Sequence, residues 1–75
     1  REMEIAEYLI MGLRLIDGID KNDFSSRFNT NVENIYENVL IKHKENGLLD
    51  IDEKNIRFTT KGLDLSNTVY VDLLP

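Results

Sequence analysis

The chain contains no cysteine. Disulfides are thereby excluded, as are thiolate metal sites, iron–sulfur ligation and cysteine nucleophiles on these residues. A small domain without disulfides fits a reducing cytoplasm, which is the expected location. Proline occurs once, at Pro75, and histidine once, at His43. No apolar run approaches the ~20 residues that span a bilayer, so no membrane partner is expected. The opening residues Arg1-Glu2-Met3-Glu4 have neither the apolar stretch nor the cleavage site of a signal peptide. Internal repeats, low-complexity tracts and a glycine-rich phosphate loop are missing as well. Positive charge is scarce: 9 Lys and Arg against 14 Asp and Glu give a net charge of −5. The acids are scattered rather than gathered in a tail, so they read as a solvated surface. Nucleic-acid binding rests largely on Lys and Arg neutralising phosphates, and no nucleic-acid partner is expected.

What is present describes one small domain of 75 residues. A chain of this length buries only roughly 60% of its unfolded surface, so its core is small. Its 41% hydrophobic and 31% charged content is ordinary for a globular domain. A helical pattern is already under way at Arg1, which leads us to expect a piece of a longer protein. The first helix is predicted over about Arg1 to Ile16. Ile5, Leu9, Gly12, Leu13 and Ile16 form one stripe at helical spacing. Tyr8, Met11 and Leu15 form a second apolar row, and Ile10 lies on the other side. Only Glu7 and Arg14 leave a charged strip. A helix apolar nearly all round is normally covered on more than one side. Either two other helices of this domain cover it, or one face packs on something outside these residues.

Asp17 and Gly18 are read as the end of that helix, since Gly supplies a positive φ at a C-terminus. Asp20 is the predicted N-cap of a short helix, Lys21 to Phe28, with Phe24 and Phe28 at i and i+4 entering the core. After the Asn29-Thr30-Asn31 turn, Asn31 is expected to cap a third helix, Val32 to about Asn46. Val32, Ile35, Tyr36, Val39, Leu40 and His43 share one of its faces. Leu49, Ile51, Ile56 and Phe58 then alternate with polar residues, the mark of a two-stranded ribbon with one buried face. Thr59 is the predicted N-cap of a last helix, about Thr60 to Leu74, with Leu63, Ser66, Tyr70, Leu73 and Leu74 as its stripe and Gly62 permitting close approach. The order helix, helix, helix, hairpin, helix gives a mainly α fold with a small β-hairpin, of winged helix-turn-helix type.

That fold invites a DNA-binding reading, with the third helix in the major groove. Its exposed face offers Glu33, Asn34, Glu37, Asn38, Ile41, Lys42, Lys44 and Glu45, and no Arg to read guanine. The sequence therefore disfavours DNA. His43 is either a haem or metal ligand or a buried structural histidine bonded to a local carbonyl; with no companion ligand the second reading is preferred. Asp50, Asp52 and Glu53 could do acid–base work if burial separated their pKa values, but they read as solvated residues guarding a ribbon edge. Met3 and Met11 read as core or interface filler rather than haem ligands. Ser25-Ser26 has no base nearby. No catalytic, cofactor or metal residue is assigned on this chain. Arg14 either snorkels to water or meets a carboxylate across an interdomain seam. Asn67 is either a plain surface amide or a polar contact at the same seam.

Tyr8-Leu9-Ile10-Met11-Gly12-Leu13-Arg14-Leu15-Ile16-Asp17-Gly18-Ile19 resembles the start of the C-terminal domain of the radical SAM family that holds oxygen-independent coproporphyrinogen III oxidases and the related haem chaperones. Phe24, Phe28, Tyr36, Leu40, Gly47-Leu48-Leu49, Phe58-Thr59-Thr60-Lys61-Gly62-Leu63, Leu65-Ser66-Asn67 and Val69 follow in the same order. The resemblance implies tetrapyrrole metabolism or haem delivery and a catalytic barrel upstream, where a C-x-x-x-C-x-x-C run holds a [4Fe–4S] cluster that cleaves S-adenosylmethionine. That run is absent here, so neither cofactor is expected on this chain. The domain, residues 1–75, would be a non-catalytic accessory docked on the barrel; in the oxidases such a domain is similar to a cover near the substrate site. Tyr8, Met11, Arg14, Leu15 and Asn67 are then the expected interdomain surface. The alternative is a free-standing winged-helix module for protein interaction.

Overall fold

Five helices and three short strands alternate along the computed structural model, which describes residues 1–75. They are α1 (Glu2–Leu13), β1 (Ile19–Asp20), α2 (Lys21–Phe28), α3 (Val32–Glu45), β2 (Leu49–Ile51), β3 (Asn55–Phe58), α4 (Thr60–Asp64) and α5 (Ser66–Leu73). The fold is mainly helical, as expected. The sheet has three antiparallel strands in the order β1-β3-β2, not the two foreseen. Ile19 sits opposite Ile56 in one ladder, and Leu49 opposite Phe58 in the other. Leu49 and Ile56 are buried while Asp50 and Arg57 face water, so the predicted alternation holds.

Asp20 caps α2 as its sequence position requires. Its carboxylate accepts the amides of Asn22 at 2.7 Å and Asp23 at 3.2 Å, satisfying donors that a helix start leaves without partners. Phe24 and Phe28 enter the core with their rings 4.9 Å apart. Ile5, Leu9 and Leu13 of α1, Val32 and Leu40 of α3, and Val69 and Leu73 of α5 complete it around the sheet. No helix is long and apolar enough to cross a membrane.

Four expectations need correction. The first helix ends at Leu13, and Ile16, placed on the buried stripe, is 94% exposed. The chain must turn back there to lay β1 against β3. Gly18 makes that turn at φ +70, where a side chain would strike the Ile56 carbonyl. Asn31 stands at the N-cap of α3 without capping it by its side chain, because its Oδ1 accepts the Ser25 hydroxyl at 2.9 Å. Helix α3 bends at Tyr36, whose φ and ψ are −122° and 27°. Ile35 is consequently exposed, while Tyr36 donates its hydroxyl to the Leu73 carbonyl at 2.9 Å. The last helix breaks at Leu65 into α4 and α5. Its buried face is Gly62, Val69 and Leu73, whereas Leu63 and Leu74, both assigned to the stripe, are exposed.

Candidate functional site

Helix α1 presents two faces. Ile5, Ala6, Leu9 and Leu13 are buried, and the row Tyr8, Met11, Leu15 looks the other way. Tyr8 is half-buried: its ring stands edge-on to Phe24 at 5.9 Å and to Phe28 at 5.4 Å. Met11 and Leu15 stay 67% and 64% exposed. These three residues line an open cleft of about 900 Å³ between α1, β1, α2 and the end of β3. Helix α2 therefore covers Tyr8 in part and leaves Met11 and Leu15 uncovered. The rim carries Glu4 and Glu7 from α1, Asp17 from the turn, and Asp20 and Asp23 from the start of α2, against Arg27 and Arg57. The Arg27 guanidinium lies 5.5 Å from the centre of the Tyr8 ring, a cation–π distance. The Tyr8 hydroxyl is held above its usual pKa, first by burial and then by the Asp23 carboxylate, with Arg27 opposing.

The other two expected interdomain residues lie outside this cleft. Arg14 caps the end of α1 with its guanidinium 5.9 Å from the Tyr70 ring on α5, so its visible partner belongs to this domain. Asn67 is an exposed residue on α5.

His43 is fully buried, and its partner is not a local carbonyl. Nε2 lies 2.7 Å from Oδ2 of Asp72 on α5, the same oxygen that accepts Lys42 Nζ at 2.9 Å. Nδ1 is buried without a partner. The Lys42 ammonium, and after it His43, hold the Asp72 carboxyl below the usual aspartate range. Because the folded value is the lower one, Asp72 contributes its full stabilisation above about pH 4. That contribution is lost as pH falls through the folded value. Asp72→Asn is therefore expected to flatten the acid limb of the stability–pH curve, measured by urea unfolding from pH 7 to pH 3. An unchanged acid limb would remove Asp72 from the explanation.

The ribbon acids are structural. Asp50 pairs with Arg57 at 3.1 Å, both exposed, and such surface pairs contribute little. Asp52 accepts the amides of Lys54 and Asn55 at 2.8 and 2.7 Å and so shapes the β2–β3 turn; those bonds depress its pKa, Asn55 first. No three His, Cys, Asp or Glu side chains are grouped to hold a metal ion. With no cysteine in the sequence, this chain lacks the thiolates that an iron–sulfur cluster requires. Sequence reasoning missed the acidic rim and the Asp72 partner of His43. The readable parts of the rim were two pairs three residues apart, Glu4 with Glu7 on α1 and Asp20 with Asp23 at the start of α2.

Comparison with known proteins agrees with the ordered blocks. The heme chaperone HemW of Bacillus subtilis (strain 168) is 29% identical over 69 residues, which cover 92% of this chain and 18% of that protein. The chain thus spans about a fifth of its relative's length. No solved structure matches. The HemN C-terminal domain family matches residues 1–65, from the opening helix to the break at Leu65, and the chain belongs to that family.

Proposed function

We propose that this chain is the non-catalytic, winged-helix-like accessory domain of a protein of the oxygen-independent coproporphyrinogen III oxidase and haem chaperone kind, serving tetrapyrrole synthesis or haem delivery in the cytoplasm. The uncovered face of α1 docks it on a radical SAM barrel upstream in the same chain. That barrel, not this domain, holds the [4Fe–4S] cluster and S-adenosylmethionine. The family membership and the heme chaperone relative support the setting. The helix–strand–helix–helix–hairpin order, with β1 joining the ribbon, supports the winged-helix reading.

One observation carries the docking role. Met11 and Leu15, a turn apart on α1 and the loop after it, stand in water beside the cleft although this domain has helices enough to cover them. Large exposed apolar patches mark interaction surfaces, and Met11 and Leu15 are the exposed apolar part of this cleft. The test is Met11→Glu with Leu15→Glu in the full-length protein. Both sites are exposed, so the unfolding free energy of the domain should stay within about 0.5 kcal/mol of its unmodified value. The distance between a dye on this domain and one on the barrel should lengthen. An unchanged distance would end the docking reading.

A further inference from the structure

We propose that the cleft between α1, β1 and α2 seats a segment of the full-length chain that carries apolar side chains flanked by Lys or Arg. This rests on the docking reading and adds the chemistry of the occupant. The floor offers Met11 and Leu15 to an apolar side chain. The rim is what selects the neighbours of that side chain. It bears the carboxylates of Glu4, Glu7, Asp17, Asp20 and Asp23 against two guanidiniums. One of these, Arg57, is already paired with Asp50 at 3.1 Å. The other, Arg27, is laid over the Tyr8 ring. Among the acids only Asp20 is committed, to the α2 cap. Glu4, Glu7 and Asp17 have no salt-bridge or hydrogen-bond partner for their side chains.

Opposite charges across an interface favour encounter and register, and like charges suppress the wrong partner. A second copy of this domain is disfavoured on that ground, because a two-fold contact would set the acidic rim against itself.

The experiment uses the full-length protein with one dye on this domain and one on the barrel, and reads the docked fraction by energy transfer. Salt is varied between about 0.01 and 1 M, over which the screening length falls from about 30 to about 3 Å. Neutralising the rim with Glu4→Gln, Glu7→Gln and Asp17→Asn is expected to raise the undocked-to-docked ratio about ten-fold at low salt and to flatten its salt dependence. A control triple away from the cleft, Glu45→Gln, Glu53→Gln and Asp64→Asn, changes net charge equally and should leave docking unaltered. Docking that ignores both salt and the rim variants, yet is lost in the Met11→Glu, Leu15→Glu protein, overturns the basic occupant and leaves the docking reading standing. A control triple as damaging as the rim triple also overturns it. A full-length chain that does not dock at any salt overturns both.

Discussion

Gly62→Ala is expected to remove about 3 kcal/mol of stability. An added Cβ would stand 1.9 Å from the Leu48 carbonyl oxygen and 2.9 Å from Cδ1 of Phe58. Phe58 could rotate away; the carbonyl could not. It accepts the Thr59 amide at 3.1 Å. Thr59 in turn donates its hydroxyl to the Gly47 carbonyl and accepts the Gly62 amide at 3.0 Å, capping α4. Relieving the clash therefore pulls apart the junction of α3, the ribbon and α4. Domains of this length have roughly 4–11 kcal/mol in all, at 0.05–0.15 kcal/mol per residue. Urea unfolding followed by circular dichroism checks the expectation. A loss under about 0.5 kcal/mol, the size of an ordinary surface change, would mean that α4 slides without resistance.

Phe24→Ala is expected to destabilise the domain by about 3–5 kcal/mol. Phe24 is 0% exposed and touches the rings of both Tyr8 and Phe28, so its removal leaves a cavity that stiff aromatic neighbours cannot fill. Phe24→Leu, closer in volume, should lose less than half as much. The effect reaches the cleft, because Phe24 is one of the two rings, with Phe28, that support the Tyr8 wall. Equal losses in the two variants would show that neighbouring side chains collapse into the space freely.

The parts legible in the sequence are those set by neighbours along the chain. Asp20 could be read as a cap because the amides it binds lie two and three residues on. The ribbon could be read because alternation needs only four or five residues. The apolar row of the cleft could be read because Met11 and Leu15, with Tyr8, lie off the core stripe. What stayed hidden was set by distant contacts. Two residues of β1 are too few to show a period, and only the pairing of Ile19 with Ile56 makes them a strand. The stripe of α1 runs on to Ile16 by counting, but the turn at Gly18 ends the helix first. Gly62 could be read as a point of close approach, but its partner Leu48, which fixes the phase of the last helix, lies outside residues 60–74 and no pattern there encodes it. The acidic rim is assembled from α1, a turn and α2, and the partner of His43 lies 29 residues away.

Helix α1 packs against α5, and Tyr36 and His43 of α3 are bonded to residues of α5. The first and last elements are thus mutual cover. As the chain leaves the ribosome, the cover of Ile5, Leu9 and Leu13, begun by β1 and β3, is incomplete until residues 66–73 have been synthesised. The interval between those events is when this domain is exposed to aggregation, as chains that close on their last element are. A chaperone recognising nascent apolar segments would find this region twice over, once for the core stripe of α1 and once for Met11 and Leu15, which the finished domain leaves exposed.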